Sequence, residues 1–416
     1  MTTPGKTEGL PTPPQGGLRP ARLARRLALL ALLLAVGEML PAALLPTARY
    51  ARDYRPTWPE TARFIAYLND YHRRHPDRPI ILFLGPSTAW GTGASPGHAI
   101  PEEFGRLLAA RYHTGPLARA QVFNLCLEGS NSAMDYYLLR AARSLHPTAV
   151  YYQEHYRFFG ARAALELKPE LVASLGLWPS AGDRERLGGE WMQAERSLAV
   201  EASLACHRWW TLYRDRFALR ALVYGDPRAP GEVGQERYDE WLERTGREHR
   251  RDAAWRLEEA ERLALINHAL TRPWDTLPAA QRELLVRLNR NLHSYNFGVI
   301  RPSNRNLGFI GRLLAELKRD DIPTFAYTAV LNRPLLREYG LVNEADFARN
   351  SETLRRFHAE RGVPYVDYNT QPPLPAAWFH DVDHLVDAGT AWQARRLLDD
   401  SRGFLEAAAA QPEAER

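Results

Sequence analysis

From Arg78 onward, short unbroken apolar runs alternate with stretches whose apolar residues recur at helical spacing. Ile80–Leu84 is apolar at every position, which predicts a strand buried on both faces. Val122–Leu125, Ala149–Tyr152, Thr324–Val330 and Val363–Tyr368 read as four more strands. Helical spacing covers Pro101–His113, Ser132–Leu145, Asn304–Lys318, Asn343–Arg361 and Ala388–Asp399. Ser132 with Asp135, and Asn343 with Asp346, have the spacing of a capping residue followed by an acid in the first helical turn. Strands and helices in alternation predict an α/β three-layer sandwich, with a five-stranded parallel sheet between helices.

The alternation stops between 161 and 290. That stretch is charged, has few strand-like runs, and carries Trp178, Trp191, Trp209, Trp210, Trp241, Trp255 and Trp274. It is expected to be a large helical insertion, with the tryptophans as its core. The α/β domain then comprises 78–160 and 291–404, preceded by a linker and helix at 47–77 and followed by a flexible tail at 405–416. Residues 1–20 are rich in Pro and Gly and are expected to be disordered.

After Arg19, Arg22, Arg25 and Arg26 comes an apolar run from Leu27 to Leu45, interrupted by Glu38 and Pro41. As a helix it is about 28 Å long, close to the thickness of a bilayer core. Residues 21–46 are therefore expected to form one N-terminal transmembrane signal anchor. The arginines keep its start in the cytoplasm and send the rest across the membrane. The alternatives are a cleaved signal peptide, with Ala42 and Ala43 near the processing site, and a buried soluble helix. Glu38 either lies near the outer interface or contacts another membrane protein.

The whole chain, 416 residues with 45% hydrophobic and 25% charged, has a globular balance. Its net charge is +5, from 54 basic and 49 acidic residues, and no dense basic run follows residue 50. Nucleic-acid binding is not expected. Two cysteines, Cys126 and Cys206, are too few for a disulfide framework or a four-thiolate metal site.

Three segments carry candidate chemistry. The first strand runs into Gly85-Pro86-Ser87-Thr88-Ala89-Trp90-Gly91, which puts a serine hydroxyl at the carboxyl edge of the sheet. The second strand runs into Asn124-Leu125-Cys126-Leu127-Glu128-Gly129-Ser130-Asn131, where a glycine lets backbone approach a ligand. Near the other end stands His380-Asp381-Val382-Asp383-His384. Asp381 and His384 can pair within one turn, leaving the second ring nitrogen free to act as a general base. The same acids and histidines are also of the type that holds a divalent ion.

Together the three segments resemble the SGNH (GDSL-like) hydrolase superfamily. Gly85, Ser87 and Gly91 match its first block, Asn124 and Gly129 its second, and Asp381 and His384 its last. Pro86 stands where the family has Asp. The third block, Gly-x-Asn-Asp, is replaced by Tyr151-Tyr152-Gln153-Glu154-His155-Tyr156. With an N-terminal anchor, the chain resembles the envelope acyl-transfer branch of that family, which includes D-alanyl-lipoteichoic acid and alginate and peptidoglycan O-acetylation proteins.

The resemblance implies a serine acyl esterase or O-acyltransferase acting on an acylated envelope polysaccharide or glycolipid. Ser87 would be the nucleophile, His384 the base and Asp381 its orienting acid. Gly129 and Gln153 would donate to the oxyanion, with Asn131 beside the substrate. No cofactor or metal is required. The expected location is the bacterial inner (cytoplasmic) membrane, single-pass, with the catalytic domain periplasmic or extracellular. A membrane-bound O-acyltransferase is a candidate partner through the anchor. The alternative is a catalytically weak or inactive scaffold that binds an envelope polymer or such a partner.

Overall fold

A computed structural model describes residues 20–44, 54–57, 60–160, 298–338 and 342–411, with Tyr50 and short pieces between 165 and 219 and at 278–279. The tail expected at 1–20 lies outside the described residues except for Pro20. So does most of the expected insertion at 161–290 and every tryptophan in it except Trp210.

The first described elements are α1 (Pro20–Leu44) and α2 (Thr61–Arg74), followed by β1 (Ile80–Leu84), α3 (Ser87–Trp90) and α4 (Ile100–Arg111). Then come β2 (Gln121–Asn124), α5 (Ser132–Ala142), β3 (Ala149–Glu154) and the short helices α6 (Ala181–Leu187) and α7 (Thr211–Arg214). The last part holds α8 (Arg305–Arg319), β4 (Thr324–Thr328), α9 (Arg333–Glu338) and α10 (Glu344–Ala359). It closes with β5 (Tyr365–Val366), α11 (Asp387–Asp400) and α12 (Arg402–Ala410).

Among the described residues all four strand pairings are parallel, in the order β2-β1-β3-β4-β5. Each strand is fed by a crossover, so apolar surface is needed on both faces of the sheet. In β1, Ile80, Leu82 and Leu84 face one cluster, which includes Phe64 of α2, Leu138 of α5, Leu313 of α8 and Leu354 of α10. Ile81 and Phe83 face the other, with Phe104 of α4, Leu397 of α11 and Leu405 of α12. The expected three-layer α/β arrangement with five parallel strands is present.

Several boundaries differ from the sequence reading for physical reasons. β3 runs on through Gln153 and Glu154, which pair with Tyr327 and Thr328 of β4; their polarity hides that continuation in the sequence. β5 is only two residues long, because Pro364 has no N–H for the ladder and the Asp367 carboxylate turns the chain by accepting the Asn369 N–H at 3.0 Å. The cap of α5 is Asn131 rather than Ser132: its Oδ1 accepts the N–H groups of Ala133 and Met134. Asn304 and Asn343 cap α8 and α10 in the same way. The flexible tail expected from 405 is corrected: α12 continues to Ala410, with Leu405 and Ala408 buried against the sheet.

The transmembrane segment expected at 21–46 is not found as such. Among the described residues, no helix is long and apolar enough to cross a membrane. What occupies that stretch is α1, whose Leu27, Leu29, Leu30, Leu32 and Leu33 are exposed. Its Gly37 lies close to Trp210 and to Leu212 of α7.

Candidate active site

Strand order decides where a site can form. The order 2-1-3 reverses direction between β1 and β3, and open α/β sheets bind ligands at such a switch point, beyond the carboxyl ends of the strands. Ser87 follows β1, Gly129 follows β2, and Gln153 lies at the end of β3.

The turn that carries Ser87 is held from several sides. Gly85 has φ +153°, and a Cβ there would come within 2.9 Å of the Gln153 Cβ, so only glycine lets β1 end so close to β3. Ser130 Oγ donates to the Gly85 carbonyl at 3.0 Å, and the Leu127 N–H donates to it at 3.1 Å. Asn124 Nδ2 donates to the Trp90 carbonyl at 3.2 Å, while its Oδ1 accepts the Cys126 N–H at 3.1 Å. The turn after β2 is thereby tied to the turn that carries Ser87.

The histidine arrives on a closed loop. Phe379 and Leu385, both buried, form an antiparallel bridge, and the His380 N–H donates to the His384 carbonyl at 2.8 Å. Asp381 Oδ1 accepts the N–H groups of Asp383 and His384 at 3.0 and 2.8 Å, which fixes its carboxylate beside the ring. The Asn332 N–H, just beyond β4, donates to the Val382 carbonyl at 2.8 Å and docks the loop on the sheet rim.

These elements bring residues 297 positions apart together: His384 Nε2 is 2.9 Å from Ser87 Oγ. On the other side of the ring, Nδ1 is 2.8 Å from Asp381 Oδ2. The carboxylates accept only, so Nδ1 carries a proton, and in the neutral ring the Ser87 hydroxyl donates to Nε2. Burial opposes charge on His384, but the carboxylates of Asp381 and Asp383 outweigh it and hold the pKa well above the usual histidine value.

Asp383 and His155 were not singled out as site residues by sequence spacing. Asp383 Oδ1 is 3.1 Å from His384 Nδ1, and its Oδ2 is 2.8 Å from His155 Nε2. His155 is fully buried and follows β3 directly. Its Nδ1 accepts the Arg157 N–H at 2.9 Å, which leaves the ring proton on Nε2, facing Asp383. Burial pushes the His155 pKa down despite that carboxylate. Asp383 is pulled well below the usual carboxylate range: burial opposes this, but His384 and His155 prevail. An alternating polar pair, Glu154-His155, running off the end of a strand was the available signal in the sequence.

Gln153 is fully buried; its Oε1 accepts from Thr88 Oγ1, and its Nε2 has no partner among the described residues. An unpaired buried amide N–H beside the residue that follows Ser87 is a donor in waiting. Gly129 has φ +66°, and a Cβ there would meet nothing within 4 Å, so this backbone faces open space. Asn131, expected beside substrate, has its Oδ1 occupied as the cap of α5. Ligand atoms of Asp381, Asp383 and His384 lie within 4.8 Å of one another, close enough for an ion. They are spent on each other and on Ser87. A cleft of about 300 Å³, lined by Arg78, Glu102, Gln121 and Val122, lies where β1 and β2 begin, away from this site. Compared with protein-family models and with curated proteins, the chain matches none.

Proposed function

We propose that the protein is a serine acyl esterase or O-acyltransferase of the SGNH type. The observation that carries this reading is the continuous chain from Ser87 Oγ through His384 to Asp381, with contacts of 2.9 and 2.8 Å. Ser87 attacks the ester carbonyl and its proton passes to His384 Nε2 as the Oγ–C bond forms. The imidazolium is stabilised by the acids at Nδ1. The Ser87 and Gly129 N–H groups and Gln153 Nε2 receive the oxyanion. His384 then returns the proton to the leaving alcohol. Water or an acceptor hydroxyl resolves the acyl-enzyme, with His384 again as base.

The acylated substrate is proposed to be an envelope polysaccharide or glycolipid, with the domain held on the outer side of the bacterial cytoplasmic membrane. Support for the anchor is the exposed leucine surface of α1 together with Arg22, Arg25 and Arg26 near its start. A membrane-bound O-acyltransferase is the partner proposed for that helix.

A fluorophosphonate tests the nucleophile directly. The full-length protein is expected to be labelled and Ser87→Ala not; equal labelling of both removes this reading. Acyl content of envelope polysaccharide in a Ser87→Ala strain is expected to fall. Unchanged acylation there would leave the domain as a binding scaffold.

A further inference from the structure

His384 Nδ1 faces two carboxylates, and they are not equivalent. Asp381 is 24% exposed in its side chain, and its Oδ1 also accepts two backbone N–H groups. Water and those amides screen its charge. Asp383 is 1% exposed, with one oxygen on the His384 side and the other on His155. His155 gives Asp383 a hydrogen to face without a full charge. Arg157 is more distant, with Nη1 at 3.9 Å from the same oxygen. A charge in so dry a place acts on the ring across 3.1 Å with little screening.

We propose that Asp383, oriented by His155, is a second acid behind the general base: a positioning residue that stabilises the imidazolium of His384 alongside Asp381. This rests on the reading of Ser87 and His384 as nucleophile and base. When the Ser87 proton moves to His384 Nε2, the Nδ1 proton stays on the ring, and Asp381 and Asp383 both remain ionised. His155 stays neutral, its Nδ1 lone pair engaged by the Arg157 N–H. The groups facing the ring are thus Ser87 from α3, Asp381 and Asp383 from its own loop, and His155 and Arg157 from the end of β3.

The test is the pH dependence of fluorophosphonate labelling in the full-length protein. Labelling needs the neutral ring, so the wild-type rate rises with pH and levels off only above the ordinary histidine range. In Asp383→Asn the rise is expected to move toward acid by about one unit or more, while the high-pH plateau falls about tenfold. The two profiles then converge at low pH, and cross where the shift exceeds one unit, whereas a merely loosened loop lowers the rate equally at every pH. Asp381→Asn, which removes the nearer carboxylate, is expected to move the rise at least as far. His155→Leu is expected to shift the profile as Asp383→Asn does, and His155→Gln, which retains a donor near the Nε2 position, to hold it at the wild-type place.

A uniform loss at all pH values in Asp383→Asn overturns the proposal while leaving the nucleophile assignment intact. Labelling of Ser87→Ala equal to wild type removes that assignment and this proposal with it. If Asp383→Asn does not fold, the His155 pair decides, together with an NMR titration of His384 in the wild type. A His384 that titrates at or below the ordinary histidine value also overturns the proposal.

Discussion

Near the carboxyl end of β3 the rings of His384 and His358 each face carboxylates, and of the two only the His384 ring also faces a serine hydroxyl. His384 faces Asp381 and Asp383 through Nδ1 and Ser87 through Nε2. His358 of α10 faces Glu154 through Nε2 at 2.7 Å, with both side chains fully buried. Tyr365 stacks on the His358 ring at 4.5 Å, and the other ring nitrogen has no partner among the described residues. The residue types are the same. A base needs its second nitrogen on a reacting group at an accessible rim; sealed under a tyrosine, the same pair is structural polar packing. Glu154 and His155 are consecutive, and extended backbone sends consecutive side chains to opposite sides. One strand end therefore supplies a partner to each pair.

The largest expected effect comes from exchanging the treatment of the two rings. His384→Gln is expected to slow fluorophosphonate labelling by about 10⁴-fold. His358→Leu is expected to leave the labelling rate of folded protein within about threefold, and to cost about 3–5 kcal/mol in urea denaturation, because Glu154 loses its buried partner. A large rate loss in His358→Leu with unchanged stability would reverse the comparison.

A smaller effect is expected at Gln153, whose amide is proposed as an oxyanion donor. Gln153→Leu removes a candidate oxyanion donor and is expected to lower kcat for ester turnover by about 10²–10³-fold with little change in KM. Turnover close to wild type would assign Gln153 to packing, through its contact with Thr88.

The smallest effect touches no rate. Asp135 of α5 is buried, and burial lifts its pKa to about 8 against the pull of Ser130 and Tyr152. With the folded value raised, the stability it contributes is full below about pH 4, its unfolded range, and is lost as pH rises through the folded value. Asp135→Asn is expected to remove this part of the decline in thermal stability between those limits. An unchanged decline would place its origin elsewhere.

Much of the scaffold could be read locally. The five-residue apolar run of β1 is buried throughout, and Asn343 caps its helix as its spacing predicts. The Asp381–His384 pairing was also legible, since it lies within one turn. Asn131 caps α5 through its Oδ1, a use the sequence reading did not assign, because a side chain that suits a ligand suits a helix N-terminus equally well. Ser132 lost the cap because its hydroxyl is used elsewhere, on Asn306 of α8.

Sequence alone determined the alternation of strand and helix and the three polar segments at strand ends, because hydrophobic period and turn chemistry act over a few residues. Tertiary structure alone decided that Ser87 meets His384, that His155 backs Asp383 and that Glu154 meets His358. Those partners are 297, 228 and 204 positions apart. No local rule selects among distant histidines and acids. Strand order and the docking of the last loop on the sheet rim do so, by fixing which of them share a dry space.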